Sequence, residues 1–171
     1  MLNCTNNNYV NSDSSFAVFD ISNLISKYLS NSIDNDQDLV ILCIGTDRST
    51  GDSLGPLVGY KLSPFIPHYN KVHLFGTLNK PVHAKNLAST IKYINLYHPK
   101  SFILAIDASL GSIDKIGYIN IKEGPLKPGL GVNKNLPSTG NISITGVVNV
   151  GGMMEYMILQ NTRLSLVMNM A

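Results

Sequence analysis

Two short runs, residues 39–44 (Leu-Val-Ile-Leu-Cys-Ile) and 102–106 (Phe-Ile-Leu-Ala-Ile), are apolar at every position, and each stops at a polar or flexible residue, Gly45 and Asp107. A strand with one face in water alternates apolar and polar residues, whereas a strand apolar throughout has both faces covered. These runs therefore predict strands of a largely parallel sheet with helices on both sides, the α/β class. The sequence between them agrees. Residues 52–62 read as a helix stopped by Ser63-Pro64, with Thr50 or Asp52 as its cap, and residues 71–75 read as a second strand. Leu87, Ile91, Ile94 and Leu96 mark a helix over 82–97 that ends before Pro99. Two right-handed crossovers that reverse direction place the strands in the order second, first, third, so 39–44 and 102–106 are neighbours.

Outside this unit, Phe16, Phe19, Leu24, Ile25, Tyr28 and Leu29 predict a helix over 16–29 with one core-facing stripe. Residues 116–121 read as a fourth strand, antiparallel at an edge, 142–148 as another, and 153–160 as a closing helix continuing toward 170, with Met153, Met154 and Met157 as core filler. The Asn- and Ser-rich residues 1–15 have little to bury and are expected to form a flexible leader. A chain of 171 residues is long enough for one well-buried core and short for two, so 16–171 is expected to be a single α/β domain. Residues 123–140 contain Pro125, Pro128, Gly129, Gly131 and Pro137 and no regular pattern, and such long loops in small domains usually carry function.

Composition narrows the partners. A net charge of +2, with charged residues at 14%, makes no electrostatic case for nucleic acid. No apolar run approaches the roughly 18–20 residues that span a bilayer, and no basic-then-apolar leader opens the chain, so no membrane is expected and the cytoplasm is the expected compartment. Cys4 lies in the polar leader and Cys43 in an apolar run, a usage that suits a reducing environment without a disulfide.

The polar residues most able to do chemistry follow the strands. In open α/β sheets, ligands gather outside the carboxyl ends of the strands. Asp52 opens the helix after the first strand and Asp107 follows the third, which puts both at one sheet edge. Two carboxylates in one crevice cannot both ionise cheaply; one keeps a proton while the other stays charged, giving an acid and a base. The same loop offers another use. Gly45, Gly51 and Gly55 lie among Thr46, Arg48, Ser49 and Thr50, and backbone amides at a helix start can hold an anion. However, neither the P-loop ending nor the dinucleotide glycine spacing is present. His83 follows the second strand and, with Asp52 and Asp107, would make an Asp/Asp/His set for a divalent metal; no other cofactor is implied. His68, His73 and His98 read as surface or strand residues.

Several motifs together resemble a known family. Ile44-Gly45-Thr46 with Gly55-Pro56, Gly76-Thr77-Leu78 with Asn86-Leu87, Ala105-Ile106-Asp107-Ala108, and the segment 124–152 resemble the YyaC-type sporulation proteins of spore-forming bacteria over residues 39–160. That group is similar to the germination protease of spores, which degrades small acid-soluble spore proteins, and more distantly to hydrogenase maturation peptidases. The resemblance implies a three-layer α/β/α sandwich, phosphorylase/hydrolase-like, with a mostly parallel mixed sheet. Gly45-Thr46 and Thr50-Gly51-Asp52-Ser53-Leu54-Gly55-Pro56 match the protease's Gly-Asn and Thr-Pro-Asp-Ala-Leu-Gly-Pro, and Ile106-Asp107-Ala108 matches its Ile-Asp-Ala. By that match the catalytic pair is Asp52 and Asp107. Gly45, Thr46, Arg48, Thr50, Gly51 and His83 are expected to border a protein or peptide substrate, together with Asn133 in the run Pro128-Gly129-Leu130-Gly131-Val132-Asn133.

The sequence also departs from these relatives. Thr46 replaces Asn and Gly51 replaces Pro. Ser143 and Thr145 stand in the segment where the hydrogenase peptidases have a metal-binding His, so a metal would depend on His83. The implied activity is that of a sporulation-associated peptidase in the mother cell or forespore. The alternative is a non-catalytic protein that binds an anionic ligand or a protein partner in the same crevice.

Overall fold

The computed structural model describes residues 8–128 and 137–171. Residues 39–44 are apolar at every position because the strand they form is packed on both sides. Val40, Leu42 and Ile44 join Val82, Leu87 and Ile94 in one core cluster, while Cys43 joins Leu54, Leu57 and Phe102 in another. Each buried aliphatic side chain contributes about 1.5–3 kcal/mol relative to exposure, so the two clusters hold the helices to the sheet.

The strands are β1 (Tyr9–Asn11), β2 (Leu39–Cys43), β3 (Val72–Phe75), β4 (Phe102–Gly111), β5 (Tyr118–Glu123) and β6 (Ile142–Val150), in the sheet order β1-β5-β6-β4-β2-β3. β3, β2, β4 and β6 run parallel, and β5 and β1 complete the sheet antiparallel. The helices are α1 (Ala17–Ser32), α2 (Leu54–Leu62), α3 (Leu87–Tyr97), α4 (Glu155–Gln160) and α5 (Leu164–Met170). Side chains of α1, α2 and α5 pack in the cluster around Cys43 and those of α3 in the cluster around Val40, so helices cover both faces of a mixed α/β sheet. The expected adjacency of 39–44 and 102–106 holds: Leu39 pairs with Phe102 and Cys43 with Ile106.

Several elements differ from the sequence expectation, each for a local reason. Tyr9–Asn11, expected in a flexible leader, form the edge strand against β5, and Val10 is buried there. β5 is antiparallel as expected, but β1 rather than β5 is the edge. β4 does not end at Asp107. It runs on to Gly111 because β6 continues beside it, pairing Asp107 with Thr145 and Ala108 with Gly146.

α3 begins five residues later than residue 82. Val82 is used in a parallel bridge to Ile44, and the Asn86 side chain ties the next turn, accepting the His83 N–H at 2.7 Å and donating to the Pro81 carbonyl at 3.0 Å. α2 is preceded by a 3-10 turn, Gly51–Ser53, and neither Thr50 nor Asp52 caps it through its side chain. Instead the Ser53 hydroxyl donates to the Thr50 carbonyl at 2.6 Å. The closing helix is broken into α4 and α5, since the Asn161 and Thr162 side chains donate to the Met157 and Ile158 carbonyls and end the first segment. Met153, Met154 and Met157 are exposed rather than core, because no element among the described residues covers them.

Candidate functional site

β2 leaves the sheet at Gly45. Just before it, the Ile44 N–H donates to the Ile106 carbonyl at 2.7 Å; just after, the Gly45 N–H donates to the Val82 carbonyl at 2.8 Å. β2 therefore stops one residue short of the level of Asp107, while β4 continues. On its β2 side, β4 has no strand partner among the described residues at Asp107, at the sheet edge where the crossovers to α2 and α3 part.

The loop after Gly45 folds back toward the end of β2. Gly45 adopts φ 139°, and a Cβ there would collide with the Asp52 carbonyl oxygen, so only glycine lets the chain fold back on itself. The Thr46 N–H donates to the Asp52 carbonyl at 3.0 Å and closes the turn. At its tip, the Thr46 hydroxyl accepts the Arg48 N–H at 3.3 Å, and Asp47 and Arg48 point into solvent. Gly55 seats α2 directly on the end of β2, its Cα facing the Ile44 main chain with no room for a side chain.

The two aspartates differ in their surroundings. Asp107 is 7% exposed and accepts the neighbouring Ala108 N–H at 2.8 Å. Burial drives its pKa well above the ordinary aspartate value, the Asp52 charge adds to the rise, and the Ala108 N–H opposes it. Asp52 is half-buried; burial raises its pKa from 3.8 to about 6, against the pull of the Thr46 N–H. The carboxylates are thus close enough for one charge to act on the other, and Asp107, the more deeply buried of the two, is the one whose protonated form is the more favoured by burial.

The remaining expected residues are distributed as follows. Thr46 and Thr50 are half-buried on the loop, and Arg48 is exposed at its tip. Gly51 is buried against Leu159 and Thr162, facing the closing segment. His83 lies one strand away, beyond β2, lining a cavity of about 650 Å³ with Thr77, Lys80, Pro81, Asn86 and Thr90. Its Nδ1 is buried without a hydrogen-bond partner among the described residues, as is the Ser49 hydroxyl in the loop. Asn133 lies outside the described residues.

The Asp/Asp/His metal set is not assembled. Among the described residues, the one group of three or more potential ligands whose donor atoms lie within 4.8 Å of one another is Asp38, His73 and His98. His83 is kept apart because Val82 is anchored on the β3 side of β2, whereas Asp107 lies on the β4 side. His73 and His98, read from sequence as surface or strand residues, are the histidines that do meet a carboxylate. No helix among the described residues is long and apolar enough to cross a membrane.

Comparison with known proteins agrees with the resemblance in the motifs. The chain is 55% identical to the Bacillus subtilis (strain 168) protein YyaC over 133 residues, which are 78% of this chain and 64% of that relative. It therefore spans less than two thirds of the relative's length. Among solved structures, a [NiFe] hydrogenase maturation protease HycI from Thermococcus kodakarensis KOD1 matches with a TM-score of 0.49 and 16% identity, covering 83% of this chain and 90% of that one. The model of the family described as "Protein of unknown function (DUF1256)" matches residues 9–171, and the chain belongs to that family.

Proposed function

We propose that the chain is a peptidase-like protein that hydrolyses a peptide bond between Asp52 and Asp107. The observation that carries this reading is Asp107: a carboxyl nearly sealed from water in mid-strand, at the level where β2 ends, under the influence of a second carboxyl from the returning loop. Buried unlike-titrating carboxyls are costly to keep and suit acid–base chemistry.

In this reading Asp52, the less buried of the two, is the carboxylate and Asp107 the acid. Asp52 takes a proton from a water molecule as its oxygen attacks the peptide carbonyl carbon. Asp107 gives its proton to the amide nitrogen as the C–N bond breaks. The products are a carboxyl group and an amine, and one proton remains on the pair. The half-buried loop residues Thr46 and Thr50 border the substrate, and the cavity at His83 receives a neighbouring side chain. Small acid-soluble spore proteins are the substrate class the motif resemblance implies, with sporulation as the setting. A crevice already holding two carboxyls disfavours an anionic ligand, which argues for the peptidase over the anion-binding alternative.

The test is incubation of small acid-soluble spore proteins with the purified chain and with its Asp52→Asn and Asp107→Asn variants, the products being read by mass spectrometry. Cleavage by the unmodified chain and its loss, by at least about 100-fold, in each variant is expected. Equal cleavage by both variants would overturn the assignment.

A further inference from the structure

At the opposite end of β2 from the carboxylate crevice, three side chains converge that the proposed hydrolysis does not use. Asp38 immediately precedes β2, His73 is the second residue of β3, and His98 closes α3. Asp38 Oδ2 lies 2.8 Å from His73 Nε2 and 3.4 Å from His98 Nδ1, and the two imidazole rings are 3.8 Å apart, centroid to centroid, tilted by 35°.

Each residue is held by the main chain. The Asp38 carbonyl accepts the Phe102 N–H at 2.7 Å, His73 is paired with Val40 in the sheet, and the His98 N–H donates to the Ile94 carbonyl at 2.7 Å. The Phe75 and His98 rings lie near-perpendicular, at 70°, with centroids 6.3 Å apart. The three groups are therefore positioned by a strand entry, a strand and a helix end rather than by flexible loops.

We propose that Asp38, His73 and His98 bind one divalent transition-metal ion, with zinc the best match to the donors. Two imidazole nitrogens and one carboxylate oxygen are the ligands this ion prefers at three-ligand sites, with water in the remaining position. Tetrahedral zinc holds nitrogen and oxygen donors at about 2.0–2.1 Å, which puts them roughly 3.3 Å from one another. The separations of 2.8 and 3.4 Å straddle that value, and all three donor atoms lie within 4.8 Å of one another, so small side-chain rotations complete the site. All three residues are half-buried, open enough for an ion to enter and for water to fill the last position.

The site is remote from the crevice. Asp38 and Gly45 flank β2, and seven extended residues span roughly 23 Å. The ion would brace the start of β2 against β3 and the end of α3, and would take no part in chemistry at Asp107.

The test is titration of the full chain, freed of metal by chelator, with zinc chloride in a calorimeter, and with cobalt(II) chloride followed by visible absorption. One zinc per chain, a rise in Tm and an intense tetrahedral cobalt spectrum are expected. His73→Ala and His98→Ala should each weaken zinc binding by at least about 100-fold and abolish the cobalt spectrum. Asp38→Asn, which keeps the side-chain shape, should do the same with an unchanged far-UV circular dichroism spectrum. Asp52→Asn should bind zinc as the unmodified chain does. No stoichiometric zinc binding, or undiminished binding in the three ligand variants, overturns the site. Loss of binding in Asp52→Asn would overturn its independence from the crevice.

Discussion

The Thr46 N–H donates to the carbonyl oxygen of Asp52 at 3.0 Å, tying the exit of β2 to the turn that carries the aspartate. The bond can form only because Gly45, at φ 139°, lets the loop turn back directly over the Asp52 main chain. Placement of the Asp52 carboxyl is thus a property of one backbone turn.

Gly45→Ala tests that turn. The added methyl would strike the Asp52 carbonyl, and the backbone would sit in a region that side-chain-bearing residues rarely adopt. A loss of at least about 3 kcal/mol in urea denaturation is expected, with loss of any Asp52-dependent activity. Stability within about 0.5 kcal/mol of the unmodified chain would show that the loop adapts.

Asp52→Asn should make the protein more stable at neutral pH. Asp52 titrates at about 6 in the fold against 3.8 for an ordinary aspartate, so the folded state holds this proton more tightly than the unfolded chain. The associated stability is complete below about pH 4 and is lost as pH rises through 6, roughly 3 kcal/mol in all. Asn carries no such penalty. The variant should match the unmodified chain near pH 4 and exceed it by about 1–3 kcal/mol at pH 7.5 in paired denaturation curves.

Activity should follow the two carboxyls. A peptidase that uses Asp52 as base gains rate as pH rises through about 6, and one that uses protonated Asp107 loses it at higher pH, giving a bell-shaped profile. Asp107→Asn should lack the falling limb in whatever residual activity remains. A flat profile between pH 5 and 8 would rule out the acid–base assignment.

Cys43 should be chemically silent in the folded protein. It is fully buried, and burial pushes its thiol up to about 12. In a Cys4→Ser background, iodoacetamide at pH 8 should leave Cys43 unlabelled over hours and label it quickly in denaturant, as read by mass spectrometry. Fast labelling without denaturant would mean that the end of β2 opens readily.

Much of this architecture is legible in local sequence. Runs such as 39–44 declare a doubly covered strand because hydrophobic burial acts residue by residue. The strand-helix alternation and crossover handedness then place β2 beside β4. The length of β4 is less legible: an aspartate reads as a strand end, yet Asp107 is carried through the ladder because β6 lies alongside. The leader misleads in the same way, since the short segment Tyr9–Asn11 becomes a strand only by borrowing an edge from β5.

The histidines mark the limit most sharply. Asp38, His73 and His98 are separated by 35 and 25 residues, and no motif links them. One signal was available: if Leu39 pairs with Val72 and Phe102, then the residue before β2 must lie beside the start of β3 and the end of α3. The sequence by itself determined the central strands, the presence of the helices between them and the aspartates near their ends, because periodicity and turn chemistry are encoded within a few residues. Only the tertiary structure decided which polar groups meet. It brought Asp107 under the charge of Asp52, left His83 across β2 and gathered two histidines around Asp38, because strand register and helix ends set distances between residues far apart in the chain.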